Sequence, residues 1–283
     1  MSAVTQKQRS ASIPGDLAQV LTVARYELLR HLRRRRFLAM LAIIAVVVTL
    51  ILALPPALGV PQPSDPYGFS QNLVQFTAIL VLLAATFFAA DGLAGEFHQR
   101  TGYVVFPNPI RRASLYWGKV LAGLGASLGI VGTYYGIVAV ASLGFTGRVV
   151  AELGLSALFA FLYTASAVGV AYLVSAVMKG TTGATILTFL LFLFVLPIAS
   201  TTLTFAKVKP MFLVTFASET LTNVLAGPFP EAYPQDSTIV VGPGFTFTQY
   251  VPEVVPAVAV MALYLVVSVV LARMLFARRE MTG

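Results

Sequence analysis

The sequence predicts an all-α, polytopic membrane protein with six transmembrane helices. The chain is 58% hydrophobic and only 11% charged, whereas an ordinary soluble domain carries about 25% charged residues. Six apolar runs reach the roughly 20 residues that a helix needs to cross the hydrocarbon layer. Lysine and arginine are also distributed unevenly between alternate loops, as expected for a chain that inserts with its positive loops inside.

The predicted transmembrane domain covers residues 37–276. Its first span follows the basic block RRRR and ends at a loop rich in proline and glycine, PPALGVPQPSDPYG. Apolar runs of similar length recur along the rest of the chain. The six predicted spans are residues 37–58, 71–90, 116–143, 153–177, 182–205 and 254–276.

Two segments precede the first span. Residues 1–15 are small and polar, which predicts a flexible cytoplasmic tail. In residues 16–36, leucines recur at helical spacing after Asp16, a suitable N-cap, and predict an amphipathic helix. This helix would lie in the membrane interface with its arginines among anionic lipids; the alternative is that it continues directly into the first span. We expect four residues to act as interfacial anchors here: Arg33, Arg34, Arg35 and Arg36.

The charge distribution predicts the orientation. Six spans place both termini on one side, and the segments assigned to that side contain 16 of the 19 lysines and arginines. The other side holds Arg148, Lys207 and Lys209. We therefore predict a multi-pass protein of the plasma membrane with both termini in the cytoplasm, including a short C-terminal tail, residues 277–283. The net charge of +8 is then a topology signal, and no nucleic-acid partner is expected.

Glycines in the third predicted span recur at the spacing that lets membrane helices approach closely. They form two pairs, each four residues apart: Gly125 with Gly129, and Gly132 with Gly136. We predict a helix-packing face, which serves either an internal contact or a subunit interface.

The longest predicted loop on the outer side, residues 206–252, contains six prolines and is too long for a simple connection. The apolar residues of KPMFLVTFASETLTNVLAG predict a short helix at the outer interface that ends near Gly227. The following stretch, PFPEAYPQDSTIVVGPGF, is predicted to be irregular.

The spans contain essentially no ionisable side chains, which argues against proton- or sodium-coupled carriers. Ser156, Ser166 and Ser175 have no histidine or lysine near them in sequence, so we expect them to contact backbone or neighbouring helices rather than to catalyse. The chain lacks cysteine and a GxxxxGK[ST] phosphate-binding loop. We predict no enzymatic activity, no metal and no cofactor in this chain, so any nucleotide chemistry belongs to a partner.

The segment between the second and third predicted spans, EFHQRTGYVVFPNPIRRASLYWGK, is longer than a simple turn requires. Glu96 and Arg100 can pair at a spacing of four residues on a helix. An apolar patch, YVVF, follows, and PNP then forces an extended turn. Positive charge at Arg111, Arg112 and Lys119 precedes or opens the next span. This pattern predicts a short amphipathic helix along the membrane face, held at each end.

On these residues the chain resembles the membrane subunits of ATP-binding-cassette (ABC) exporters of the second permease class, the ABC-2 type. Those proteins have six spans, an amphipathic elbow helix before the first span, and a coupling helix between the second and third spans that docks on the ATPase. The similarity covers about 25 residues: Glu96, Thr101, Gly102, Val105, Phe106, Pro107 or Pro109, Arg111 or Arg112, and Gly118 with Lys119. Arg100 departs from the family pattern, where many relatives have glycine.

The resemblance implies that ATP closes two partner ATPase subunits, which push on the coupling helices and tilt the spans. The implied partners are two ATPase subunits that bind ATP and magnesium, a second permease copy in a homodimer or heterodimer, the lipid bilayer and a transported substrate. Lys119 would be a further interfacial anchor. The implied ATPase-coupling residues, within segment 96–112, are Glu96, Arg100, Thr101, Gly102, Tyr103, Val105, Phe106, Pro107, Arg111 and Arg112.

Three functions remain open from the sequence. In an exporter, a path lined by Tyr134, Tyr135, Tyr163 and Tyr172 would suit an apolar or amphipathic cargo. A second possibility is a protein that uses the ATPase to act on an outer partner without transporting anything. A secondary carrier is disfavoured by the uncharged spans.

Overall fold

The computed structural model describes residues 15–98, 111–242 and 245–278, and the chain is 76% helical. Within these residues, six helices have the length and apolar composition of membrane spans, which confirms the predicted six-span helical fold. These spans, numbered 1 to 6 below, are Arg35–Ala57, Pro66–Phe88, Arg112–Thr146, Glu152–Val177, Thr181–Phe205 and Val254–Arg278.

The chain enters span 1 through a sharp break. Helix α1 covers Asp16–Arg33 and helix α2, which is span 1, covers Arg35–Ala57. Between them the backbone of Arg34 is extended, with φ −77° and ψ 146°. α1 is therefore a separate helix, and the alternative of one helix continuing into the first span is wrong.

The end of α2 shows how a polar side chain compensates for proline. Pro55 and Pro56 lie inside the last turn and have no N–H to donate to the carbonyls of Ile51 and Leu52. The side-chain amide of Gln62 donates to both carbonyls instead, at 2.8 and 3.2 Å. The proline-rich loop is thereby attached to the end of the helix that it follows.

Span 2 consists of α3, Pro66–Val74, and α4, Thr77–Phe88, with a short irregularity between them. It begins at Pro66 rather than at residue 71 because local capping extends it. The Asp65 carboxylate accepts a hydrogen bond from the N–H of Gly68 at 2.9 Å, and proline is well suited to the first helical position. A short helix, α5, covers Ala94–His98 after this span.

The remaining spans are long helices, of which one is locally distorted. Span 3 is α6, Arg112–Thr146, which ends at Gly147 in the left-handed conformation that glycine favours, and span 4 is α7, Glu152–Val177. Span 5 combines α8, Thr181–Leu190, one π-helical turn, Leu191–Val195, and α9, Leu196–Phe205. Span 6 is α12, Val254–Arg278.

The connection between spans 5 and 6 is folded. Two one-turn helices, α10 at Val214–Ala217 and α11 at Thr220–Asn223, replace the single interfacial helix predicted there, and most of their residues are buried. An antiparallel hairpin of β1, Ser237–Gly242, and β2, Phe245–Gln249, begins inside the stretch predicted to be irregular, residues 228–245, of which residues 228–236 contain no helix or strand. Its β-branched and aromatic residues favour strand pairing, so the all-α class needs this correction.

Spans 2 and 4 form the centre of the bundle, while spans 1, 5 and 6 are the most exposed. Span 4 packs closely against span 6 because a Cβ at Gly169 would lie only 3.4 Å from the carbonyl of Leu265. The Ser166 hydroxyl donates to the Met261 carbonyl at 2.6 Å across the same contact. Small residues and hydroxyl groups of this kind hold membrane helices together.

Alternation of the spans defines two faces. The N-terminal face carries α1, α5, the turn between spans 4 and 5, and the end of α12. The opposite face carries the connections at 58–65, 147–151 and 206–253. The sequence predicts that the N-terminal face is cytoplasmic.

Candidate functional site

The N-terminal face contains a buried ion-paired junction that joins three elements. Lys119 lies near the start of span 3, and only 3% of its side chain is exposed. Its ammonium nitrogen, Nζ, lies 2.7 Å from Glu27 Oε1 on α1 and 2.8 Å from Glu96 Oε1 on α5. We name Glu27, Glu96 and Lys119 the charge junction. Because one lysine holds a carboxylate from each of two separate elements, the junction attaches both elements to span 3.

Burial makes the members of the charge junction depend on one another. The side chains of Glu27 and Glu96 are each 12% exposed, so neither carboxylate is freely solvated. Loss of a partner would leave a buried charge uncompensated, which typically costs about 3–5 kcal/mol. The other oxygen of Glu27 lies 2.6 Å from the Arg30 guanidinium, so two cations balance the two carboxylates.

The start of the segment that carries Glu96 is held by span 4. The Ser175 hydroxyl oxygen accepts hydrogen bonds from the N–H groups of Leu93 and Ala94, each at 3.0 Å. N–H groups at the start of a helix have no partner within it, and all three residues are buried. Ser175 therefore satisfies these donors and fixes α5 against span 4.

A glycine next to Lys119 lets α1 approach span 3. A Cβ at Gly118 would lie 2.5 Å from Val23 Cγ1 and 3.1 Å from the carbonyl oxygen of Val20. Real Cβ atoms essentially never approach other atoms as closely as 2.5 Å. This contact lies one helical turn before Glu27, so the close packing brings the Glu27 carboxylate within reach of Lys119.

Tyr172 of span 4 contacts the backbone of the charge junction at Lys119. Its hydroxyl donates to the backbone carbonyl of Lys119 at 2.5 Å. The ring lies against two glycines: a Cβ at Gly92 would be 2.8 Å from Tyr172 Cε1, and a Cβ at Gly123 would be 2.5 Å from the hydroxyl oxygen. Tyr172 thus joins span 4 to span 3 and to the residues that follow span 2, next to the charged residues.

Arg36 makes a second link between elements beside the charge junction. Its guanidinium lies 2.7 Å from the Asp91 carboxylate and donates to the Phe87 carbonyl at 3.3 Å. An adjoining polar cavity of about 510 Å³ is bordered by arginines and by the start of span 5. Six of its lining residues are Arg34, Arg35, Arg36, Asp91, Thr181 and Thr185.

The predicted coupling residues are only partly within the described chain. Arg111 Nη1 lies 2.6 Å from Asp16 Oδ2, and the Arg111 N–H donates to Gln19 Oε1 at 3.2 Å. Both charged side chains are more than half exposed, so this ion pair contributes little to stability. Arg112 opens α6. The rest of the predicted coupling set, Arg100, Thr101, Gly102, Tyr103, Val105, Phe106 and Pro107, and the predicted Glu96–Arg100 pair lie outside the described residues.

Two further sets of predicted residues have different environments. Lys119, predicted to be an interfacial anchor, is buried between two carboxylates, whereas Arg33 and Arg35 are exposed. Within the described residues, a Cβ at Gly129 or Gly136 would meet nothing within 4 Å, and one at Gly125 or Gly132 would make only ordinary contacts. A role for these four glycines against a second subunit stays a prediction.

His31 lies beside the charge junction in its neutral form. The side chain is 5% exposed, and its ring packs edge-on against Phe88 with centroids 5.6 Å apart. Desolvation by burial lowers the pKa of His31 to about 4. Nearby Glu27 and Asp91 act against this shift, whereas Arg30 and Arg34 reinforce it.

The predicted cargo-lining tyrosines are mostly structural. Tyr134 donates to the Leu73 carbonyl at 2.5 Å, and the Tyr135 hydroxyl lies 2.8 Å from Ser156 Oγ. With Tyr172 bonded to Lys119, three of the four tyrosines join neighbouring helices through their hydroxyl groups. Tyr163 differs because it borders a cavity on the opposite-face side.

Sequence reasoning missed Glu27 and the burial of Lys119, and it treated the spans as uncharged although Lys119 and Arg273 lie within them. The available signal was an acidic residue on an otherwise basic amphipathic helix. Its partner, however, lies 92 residues away, so only the tertiary fold brings the two together. Arg273 lies 5.9 Å from the ring centroid of Trp117, where the aromatic face accommodates its charge.

The six apolar helices define the class of this protein as a helical, multi-pass membrane protein. A family model described as protein of unknown function (DUF2705) matches residues 55–282, and the chain belongs to this family. No curated protein matches the chain. The matched region contains Glu96 and Lys119, whereas Glu27 lies before it.

Proposed function

We propose that this chain is the membrane-spanning permease subunit of an ABC exporter of the ABC-2 type, driven by ATP hydrolysis on a separate subunit. In this proposal α1 is the elbow helix and segment 96–112 contains the coupling helix. Two permease subunits and two ATPase subunits form the working complex in the plasma membrane. The N-terminal face is cytoplasmic.

The observation that carries the proposal is the position of Lys119 between Glu27 and Glu96. The proposed coupling segment begins at Glu96, and the short ion pair to Lys119 links that end directly to span 3. The second ion pair, to Glu27, links the same lysine to α1. A displacement of the coupling segment would therefore act on span 3 and α1 together.

The surroundings of the junction support a mechanical role. Ser175 attaches α5 to span 4, and Tyr172 attaches span 4 to the backbone of Lys119. Packed interiors transmit displacement because they deform little. Movement at segment 96–112 would thus reach spans 3 and 4 as a unit, as a transporter that alternates between two arrangements requires.

The cargo of an exporter would need a path, and a cavity in the opposite-face half of the bundle supports this part of the proposal. This cavity of about 310 Å³ lies between spans 2 and 5 and the short helix α10 with the turn that follows it. A protein that only transmits force to an outer partner needs no such cavity, so the cavity favours transport.

The decisive experiment begins with purification of the tagged chain from its native membranes in a gentle detergent. Quantitative mass spectrometry should find an ATPase with a phosphate-binding loop in near-stoichiometric amount. In the reconstituted complex, Glu96→Lys should place two cations together and uncouple ATP hydrolysis from transport while membrane insertion is retained. Gly102→Pro in the coupling segment should have the same effect.

Specific outcomes separate the alternatives. An intact, folded chain that purifies without an ATPase would reject the proposal. ATP hydrolysis stimulated only by an outer-face protein, with no cargo moved, would indicate force transmission. Activity that follows an ion gradient without ATP would indicate a secondary carrier.

A further inference from the structure

A lone carboxylate separates two cavities on the opposite-face side of the bundle. The inner cavity, about 310 Å³, is bordered by span 2, the π-helical turn and α9 of span 5, and α10 with the turn that follows it. The outer cavity, about 390 Å³, lies nearer the β-hairpin and is bordered by Gln249 and Tyr250. Ser200, Thr201 and Glu219 border both cavities, so Glu219 lies between them.

The inner cavity combines apolar walls with a polar rim. Ile79 and Leu82 from span 2 and Phe192 from span 5 supply apolar surface. Hydroxyl groups of Ser200, Thr201, Thr215 and Ser218 border it on the side toward Glu219. A space of this kind suits a molecule with an apolar body and one polar end.

The wall of the cavity is also locally irregular. Phe192 belongs to the single π-helical turn of span 5, and Pro197 follows immediately in α9. Such turns occur frequently at functional sites because the extra residue widens the helix and redirects side chains. Here the turn directs Phe192 and Leu193 to the cavity.

Glu219 brings a negative charge to this apolar region without a cation to balance it. Among the described residues, no hydrogen bond or ion pair reaches its side-chain oxygens. Of the cations on this face, Lys209 is already paired with Asp236 and Glu253 at 3.0 and 3.4 Å, and neither Lys207 nor Arg148 is among the causes of the pKa shift of Glu219. Desolvation raises the pKa of Glu219 to about 7, although the residue as a whole is exposed to solvent.

We propose that these cavities bind a cationic amphipath, whose ammonium group pairs with the Glu219 carboxylate and whose apolar body occupies the space between spans 2 and 5. As an assignment of cargo, this inference rests on the proposed export function. Binding to the isolated chain needs no ATP, so its failure is distinguishable from a failure of ATPase coupling.

The test uses two fluorescent probes that differ only in charge: a dansyl-aminohexyl chain ending in trimethylammonium, and the same chain ending in the isosteric, uncharged tert-butyl group. Binding to the full-length chain is measured in an uncharged maltoside detergent. The cationic probe should bind more tightly than the neutral one. Glu219→Gln should weaken the cationic probe about tenfold or more and leave the neutral probe unchanged, because one charge-assisted contact is lost.

Matched variants and the pH dependence of binding test whether the preference for the cationic probe comes from the Glu219 carboxylate. Glu231→Gln, which removes an exposed carboxylate from the same face, should not change the affinity of either probe. Glu219→Asp keeps the charge and should retain the preference for the cation. Because protons compete with the cation for Glu219, the affinity should fall below pH 7, and Glu219→Gln should abolish this dependence. The other titratable groups that border the cavities or act on Glu219 are Tyr163, Tyr233 and Tyr250.

Two further measurements identify where the ligand binds and whether it is a membrane lipid or a soluble amphipath. Ala78→Phe, which fills the inner cavity, should weaken both probes. Displacement of the probe by phosphatidylethanolamine would identify a membrane lipid as the ammonium-bearing ligand, and its failure to compete would indicate a soluble amphipath. Equal affinity for the two probes, or undiminished cation binding in Glu219→Gln, would overturn the proposal.

Discussion

The ammonium nitrogen of Lys119 lies 2.8 Å from Glu96 Oε1, so the first residue of the proposed coupling segment is bonded to the interior of span 3. The two side chains are 3% and 12% exposed, which distinguishes this contact from the exposed ion pair of Arg111 and Asp16. Exposed pairs contribute about 0–1 kcal/mol, whereas a broken buried pair costs several times more. Mutation of the buried Lys119–Glu96 pair should therefore reduce stability more than mutation of the exposed Arg111–Asp16 pair.

Lys119→Met should strongly destabilise the chain because it leaves Glu27 and Glu96 buried without their shared cation. We expect a loss of about 3–5 kcal/mol in the free energy of unfolding. Trp117, the only tryptophan in the chain and two residues from Lys119, gives a local fluorescence signal for the thermal transition. Lys179→Met, which removes an exposed lysine from the same face, is the matched control and should change the midpoint little. Equal stability of the two variants would show that the charge junction is not important for folding.

Gly118→Ala should separate α1 from span 3. The added Cβ would lie 2.5 Å from Val23 Cγ1, so the helix must shift at a cost of about 1–3 kcal/mol. Gly129→Ala on the same helix is the control, since its Cβ would meet nothing within 4 Å and alanine favours helix. Trypsin cleavage at the arginines of α1 reports its detachment. Cleavage that is equally slow in both variants would show that α1 tolerates the added methyl group.

These two glycines show which parts of the structure the sequence could predict. Hydropathy located all six spans because the requirement for apolar length is local. Spacing alone favoured Gly129 and its neighbours for close packing, yet the close approaches of span 3 within the described residues occur at Gly118 and Gly123. Which face of a helix meets another element depends on the whole bundle, so glycine spacing alone could not identify it.

Only part of the charge junction could be predicted from the sequence. Glu96 and Lys119 were recognised from the segment that contains them, but Glu27 was not, because its role depends on a contact between distant parts of the chain. The same limit applies to Glu219, which the sequence placed in an outer loop. Its proposed role depends on a cavity between spans 2 and 5, and no local pattern describes that cavity.

Replacement of Arg33, Arg34, Arg35 and Arg36 by serine should disturb the orientation of the chain in the membrane. These residues contribute four of the 16 basic residues assigned to the predicted inner side. Because the chain has no cysteine, single cysteines introduced into the loops can be labelled from one side with an impermeant reagent. We expect a mixed orientation in the variant and one orientation in the native chain. Uniform insertion with both termini inside would show that the remaining basic residues determine the topology.

His31 should make the folded state sensitive to acid. Its pKa is about 4 in the folded chain and about 6.5 in the unfolded chain, so above pH 6.5 it is neutral in both states and has no effect. Between pH 6.5 and 4 the unfolded chain binds a proton that the folded chain does not, and folding stability falls by about 1.4 kcal/mol per pH unit, to a total of about 3 kcal/mol.

Glu219 acts in the opposite direction, because its raised pKa makes the folded chain bind a proton between about pH 7 and 4.5. The contribution of His31 must therefore be measured as the difference between the native chain and His31→Phe, which keeps an aromatic ring beside Phe88. The comparison is made in a His98→Asn background, so that the other histidine does not titrate. We expect the midpoints of thermal unfolding to move apart as the pH falls from 7 to 5, with the phenylalanine variant the more stable of the two. A constant difference across this range would mean that the pKa of His31 is the same in the folded and unfolded chains, and that Glu27 and Asp91 offset the desolvation of its ring.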